Sequence, residues 1–202
     1  MFNDLSSPLA LLRSRRSARP RDLAAPGPDA AGLREILTLA MRVPDHGKLH
    51  PWRFVHVPRE RRAEFAALLD KAYRAGNPSP GRLELEANER FANQAPELVV
   101  ALFSPTEGHK IPVWEQQLSC GAACFNLELA ALAKGYAAGW VTGWAAYSPI
   151  VLAAFGAQHE RIAGFIFIGT AGVALEERAR PDYDAVVSEW GEPSPASGAK
   201  NP

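Results

Sequence analysis

Between Trp114 and Lys134, Trp114, Leu118, Gly121, Phe125, Leu129 and Leu132 recur at three- and four-residue spacing, with Ala122, Ala123, Ala130, Ala131 and Ala133 filling the gaps. The spacing predicts a helix, and the alanines widen its apolar surface almost all round. Such a helix must be buried, so the rest of the chain has to be arranged around it. Gly121, Ala122 and Ala123 also permit close approach of another helix. With 202 residues the chain is most simply one domain with a sizeable core. A domain of that size covers one face of such a helix, and whether it also covers the other stays open.

The elements around this helix mix strands and helices without a regular alternation. A short helix is expected near Leu9 to Ser14, then a loop from Ala18 to Pro28. Asp29 can cap a helix reaching about Arg42, with Leu33, Ile36, Leu37, Ala40 and Met41 on its apolar face. Phe54 to Val57 reads as a strand, and Pro58 opens a helix with Phe65, Leu68, Leu69, Ala72 and Tyr73 inward, stopped by Gly76. The charged stretch Arg82 to Asn93 reads as a surface helix and a candidate lid. Leu98 to Phe103, bounded by Pro96 and Pro105, has the continuous apolar run of a buried strand. Trp140 to Thr142 and Phe165 to Ile168 supply two more strands, separated by a short helix near Pro149 to Phe155. The layout predicts an α+β domain over residues 1–190, with a mixed sheet of four to five strands wrapped by helices. The Pro/Ser/Gly-rich end from Gly191 to Pro202 reads as a frayed tail.

Composition narrows what this domain can do. The chain carries 22 Lys+Arg against 22 Asp+Glu and is 47% hydrophobic, so it lacks the broad positive excess of a nucleic-acid binder. No apolar run approaches the roughly 18 residues of a membrane span, and Pro8 to Leu12 is too short for a signal-peptide core. A cytoplasmic protein is expected, with no membrane partner. Cys120 and Cys124, one helical turn apart with no basic residue nearby in the helix, read as core residues. His46 and His50 are four apart, but Pro44 and Pro51 argue against a regular helix through them, and no metal site is expected. The G-x-G-x-x-G dinucleotide fingerprint, the P-loop and His-Glu-x-x-His are all absent from the sequence.

Two polar segments stand out. Arg42 to Trp52 contains Arg42, His46, Lys48 and His50 beside an indole, on a backbone stiffened by Pro44 and Pro51 and loosened by Gly47. By itself it is either a ligand loop or a solvated one. The second segment places five arginines between Arg13 and Arg21, among them Arg15-Arg16-Ser17. Guanidinium forks and a hydroxyl suit a phosphate. A nucleic-acid arm is the alternative, and the charge balance favours the phosphate of a small molecule.

Taken together, Arg15-Arg16-Ser17 and Met41-Arg42-Val43-Pro44-Asp45-His46…Pro51-Trp52 resemble the small bacterial branch of the nitroreductase family. The resemblance continues through Val113-Trp114-Glu115-Gln116 and Gly135 to Gly143, and ends at Gly164 to Thr170. It implies a nitroreductase-like α+β fold, one FMN per subunit, and a pocket at a homodimer interface. On this resemblance Arg15, Arg16 and Ser17 hold the flavin from one subunit, and Arg42 and His46 from the partner. Trp140, Val141 and Thr142 line the other side of the ring, although the indole reads equally well as core.

The implied chemistry is an FMN-dependent oxidoreductase of ping-pong type. Hydride passes from NADH or NADPH through flavin N5 to a nitroaromatic, a quinone or a similar small acceptor, with no side chain as nucleophile. Leu129, Ala130, Ala131, Leu132, Ala133 and Lys134 match the family segment associated with NAD(P), and read equally well as core helix with Lys134 at the C-terminal dipole. A flavin-storing or flavin-sensing protein without turnover, and a phosphate- or nucleic-acid-binding module built on Arg13 to Arg21, are the alternatives.

Overall fold

β5 (Arg161–Ala171) is the centre of a single five-stranded sheet. The computed structural model describes residues 2–156 and 158–191, so only Gly191 of the expected tail falls within it. On one edge β5 pairs with β3 (Glu97–Phe103), which pairs in turn with β2 (Trp52–His56). On the other edge lie β4 (Ala137–Val141) and, past its end, the two-residue β1 (Leu23–Ala24).

Six α-helices cover the sheet among the described residues: α1 (Pro8–Ser14), α2 (Ala30–Ala40), α3 (Arg62–Gly76), α4 (Arg82–Asn93), α5 (Val113–Ala133) and α6 (Pro149–Phe155). The α+β class is as expected. Every strand pairing, however, is antiparallel rather than mixed. The apolar runs that suggest buried strands report coverage of both faces by helices, and coverage carries no information about strand direction.

Strand periodicity then divides the core in two. Leu98, Val100 and Leu102 with Phe165 and Phe167 point to α3, α4 and α6, and Val99, Ala101 and Phe103 with Ile166 and Ile168 point to α2 and α5. Local signals fix several ends. The Asp29 carboxylate accepts from the Gly32 N–H at 2.7 Å and starts α2, while Ser7 and Ser148 cap α1 and α6. α4 is fastened down rather than free to swing. Tyr73 donates to Glu84 at 2.6 Å, Asn88 donates to Asp70 at 2.9 Å, and Ala92 is buried.

α5 is only half covered by its own chain. Cys120, Ala123, Cys124, Leu127 and Ala131 are buried against α2 and the sheet, which puts both cysteines in the core as expected. Trp114, Leu118 and Phe125, expected to be inward, are instead exposed on the opposite side.

One fully buried cation ties the α3 side together. Arg62 donates through Nε to the Val57 carbonyl at 2.8 Å, through Nη1 to Ala92 at 2.8 Å and through Nη2 to Pro96 at 3.2 Å. Burial pushes its guanidinium down to about 10, with Glu97 opposing and Arg59 reinforcing the shift. Arg62→Ala would leave three carbonyls without a donor and a hole where β3, α3 and α4 meet. It should lower the unfolding free energy by about 3–5 kcal/mol in urea titration. A loss below about 1 kcal/mol would show that the carbonyls find other donors.

Candidate functional site

The Arg15-Arg16-Ser17 segment crosses β4 because Gly139 lacks a side chain. A Cβ there would lie 2.3 Å from the Ala18 carbonyl oxygen, whereas with glycine the Ala18 N–H donates to the Ala138 carbonyl at 2.8 Å. Asn3 brackets the same segment, its carboxamide oxygen accepting from the Arg16 N–H at 2.8 Å and its amide donating to the Arg16 carbonyl at 3.3 Å. The motif is therefore held by backbone bonds, and its side chains are free to differ in fate.

Arg16 turns inward. It is 7% exposed, its Nε donates to the Glu176 carbonyl at 2.6 Å, and Glu177 lies 3.7 Å away. Its two terminal nitrogens have no hydrogen-bond partner among the described residues. Burial pushes its guanidinium down from the ordinary arginine range, Arg178 and Arg180 add to that shift, and Glu177 opposes it. A cavity of about 150 Å³ opens here, lined by Arg16, Ser17, Arg19, Asp22, Glu176 and Arg178 among others. The guanidinium groups of Arg16, Arg19 and Arg178 share this lining with the carboxylates of Asp22, Glu176 and Glu177, and Arg19 lies 3.5 Å from Glu176; the guanidinium forks are of the kind that takes a phosphate-sized anion. Of the five arginines only Arg16 is folded inward against the segment after β5; Arg13, Arg19 and Arg21 are exposed.

Arg178 and Arg180 were not legible as site residues, because the chain simply turns polar after Gly172. The only sequence signal was their alternation, Arg178-Ala179-Arg180, within reach of the strand that leads to them.

Arg15 turns outward along α5. Its Nη1 donates to the Ser17 hydroxyl at 3.2 Å, and its guanidinium carbon lies 5.5 Å from the centre of the Phe125 ring. Glu128, on the buried side of α5, faces the same two residues. Burial pushes its carboxyl above the ordinary glutamate range, while the Ser17 hydroxyl, the Arg15 guanidinium and the Trp140 N–H pull the other way. An acid set between Leu127 and Leu129, in the apolar last turns of the helix, was the signal for it.

The Arg42 to Trp52 loop docks on α5 between Glu115 and Asn126. Ser119 donates to the Pro44 carbonyl at 2.6 Å, Asn126 donates to the Leu39 and Arg42 carbonyls at 2.7 and 3.4 Å, and His46 Nδ1 lies 2.7 Å from the Glu115 carboxylate. Gly47, Lys48 and His50 all have positive φ, and the Asp45 carboxylate accepts from the Leu49 and His50 N–H groups to hold that shape. Arg42 and His46 are exposed. No hydrogen bond or ion pair among the described residues joins them to Arg15, Arg16 or Ser17. Glu115, the partner of His46, and Phe125, the ring under Arg15, are ten residues apart, about 15 Å along the helix, whereas Asn126, which holds the Arg42 carbonyl, is the neighbour of Phe125 on another face.

Trp140 is neither core nor loose. It is 37% exposed, and its indole N–H donates to the Ala163 carbonyl at 3.0 Å, lying where a Gly164 Cβ would be 2.0 Å from Nε1. Val141 and Thr142 are half-buried, and Thr142 lines a cavity of about 200 Å³ with Phe91, Asn88 and Trp144. In the segment matched to NAD(P), Ala130, Ala131 and Leu132 are buried, and Lys134 pairs with Glu35. Only Leu129, Ala133 and Lys134 offer any surface there. Among the described residues no group of three or more His, Cys, Asp or Glu is placed to hold a metal ion, and no helix is long and apolar enough to cross a membrane.

Comparison with known proteins agrees with this geometry. The model of the nitroreductase family matches residues 12–170. A protein of Escherichia coli K12 named putative NAD(P)H nitroreductase YdjA is 36% identical over 163 residues, which cover 80% of this chain and 87% of the relative. The crystal structure of a nitroreductase-like family protein from Bacillus cereus superposes with a TM-score of 0.77 at 21% identity, covering 93% of this chain and 97% of the other. That of a Bacteroides fragilis nitroreductase with bound FMN gives 0.67 at 21% identity, over 90% and 98%.

The raised carboxyl of Glu128 makes a pH-dependent prediction for the flavin-free protein. A folded-state value above the unfolded one favours the native state while the group is protonated, and that advantage is lost as pH rises through the raised value. Glu128→Gln should therefore match the parent protein in urea midpoint near pH 4 and exceed it near pH 8. Equal midpoints at both would mean that the carboxyl is solvated as in the unfolded chain.

Proposed function

Since this chain belongs to the nitroreductase family, we propose that it is an FMN-dependent oxidoreductase. It passes reducing equivalents from NADH or NADPH to a small acceptor such as a nitroaromatic or a quinone, and works as a homodimer with shared sites. The observation that carries this reading is the guanidinium pocket around Arg16, whose unused donors suit a phosphomonoester. Bound FMN would supply the redox chemistry, accepting hydride at N5 and returning it to the second substrate.

The chain's own contribution is binding, orientation and exclusion of water. Arg16, Arg19, Arg178 and Arg180 neutralise the phosphate. Thr142 and the end of β4 offer hydrogen bonds to one side of the ring. Arg42 and His46 come from the second subunit in this reading, since both are exposed and no hydrogen bond or ion pair among the described residues joins them to Arg15, Arg16 or Ser17. The dimer reading rests on the exposed stripe of Trp114, Leu118 and Phe125 along α5. A second copy of the same stripe would bury it and bring each loop towards the other chain's arginines.

The visible spectrum of purified protein tests the cofactor. Yellow protein with releasable FMN, bleached by NADH or NADPH under nitrogen, is expected; flavin that resists both donors would mean storage or sensing without turnover. Arg16 is buried and braces the segment after β5, so its loss would confound binding with folding. The exposed pair is the better probe: Arg178→Ala/Arg180→Ala should weaken FMN about tenfold or more with an unchanged melting temperature. Unaltered FMN affinity would remove them from the phosphate site.

A mixing experiment tests the shared pocket. Arg15→Ala and His46→Ala homodimers should each be impaired. A heterodimer of the two would contain one doubly damaged pocket and one intact pocket, so co-refolding should restore about half of the parental activity per heterodimer. If both residues serve one pocket within a chain, every pocket is damaged and mixing restores nothing.

A further inference from the structure

Glu128 has no evident structural duty. It is 5% exposed on the face of α5 that Leu127 and Ala131 otherwise fill with apolar groups, and its Oε1 is buried without a hydrogen-bond partner. Leaving a carboxyl oxygen unpaired in the interior is costly, and leucine would fill the space without that cost. The group faces Arg15 and Ser17 on one side and the Trp140 N–H on the other. Ser17 Oγ accepts from Arg15, which lies over Phe125 one helical turn before Glu128, so a guanidinium, a hydroxyl and the acid stand together on this side of α5.

Position identifies what Oε1 lacks. Ser17 lines the arginine pocket that would take the phosphate, and Trp140 opens the stretch of β4 that would lie beside the ring. Glu128 adjoins both. The part of FMN between phosphate and ring is the ribityl chain, whose hydroxyls both donate and accept. A hydroxyl therefore completes Oε1 whether the carboxyl is ionised or protonated, which neither a pure donor nor a pure acceptor would do.

We propose that Glu128 is a further cofactor-binding residue, its Oε1 taking a ribityl hydroxyl of FMN beside Ser17 and Arg15. This rests on the FMN reading above. The test titrates flavin-free protein with FMN and with an analogue whose phosphate is joined to the ring by a plain pentyl chain, following the flavin fluorescence. The parent protein should prefer FMN by about tenfold or more. Glu128→Leu, which keeps the volume and removes the buried polar group, should lose most of that preference, and Glu128→Gln should retain part of it.

A Leu variant with the full parental preference would overturn the assignment, and so would a parent protein that binds both flavins equally, with no variant needed. If the parent binds FMN in neither form of the experiment, it is the cofactor reading that fails. A melting curve of each flavin-free variant separates loss of fold from loss of contact.

Discussion

Helix α5 carries more apolar surface than one sheet face can cover, and nearly everything of functional interest hangs from it. Its inner side packs on α2 and on alternate residues of β3 and β5. Its outer side presents Trp114, Leu118 and Phe125 to solvent. Between these two sides run narrow polar strips. Glu115, Ser119 and Asn126 hold the Arg42 to Trp52 loop, and Phe125 lies under Arg15. The helix thus carries both polar segments on one rigid element. On the proposed reading, a second copy laid on the outer side would cover the hydrophobic excess.

Which parts of this were legible in the sequence follows from the range of the forces involved. Asp29 as a cap, Gly76 as a stop and the bounds of α4 depend on neighbours within a turn or two, and they are where the residues place them. Strand direction depends on the path of remote connections, so the sheet was expected to be mixed and is antiparallel. β1 consists of two residues whose pairing with Thr170 and Ala171 exists only after the chain has folded, and no periodicity can show it. Helix α5 was read as buried with the cover of its second face left open, because a single sequence cannot say on which molecule the cover lies.

The site shows the same division. The motif Arg15-Arg16-Ser17 was visible as chemistry, but its three side chains have three different settings: Arg15 over an aromatic ring, Arg16 buried against the Glu176 carbonyl, and Ser17 between Arg15 and an acid. Gly139 decides this by letting the segment lie flat on β4, an effect of a missing Cβ that composition cannot reveal. Glu128, Arg178 and Arg180 join the motif from 111 or more positions away in sequence, and only the antiparallel sheet brings them there.

Two buried arginines in this fold show how a structural charge differs from a functional one. Arg62 uses all three of its nitrogens on backbone carbonyls, which fixes the junction of β3, α3 and α4, and it lines neither the cavity beside Arg16 nor that beside Thr142. Arg16 is nearly as buried, yet only its Nε has a carbonyl partner, and the cavity beside it holds both further guanidinium groups and carboxylates. Two reinforcing cations, Arg178 and Arg180, make burial of Arg16 worse in the empty protein. A bound dianion would offset the mutual repulsion of these cations. Glu128 on α5 is the opposite case, an acid whose Oε1 is buried without a partner. The two groups flank one short segment and suit a ligand that is anionic at one end and hydroxylated next to it.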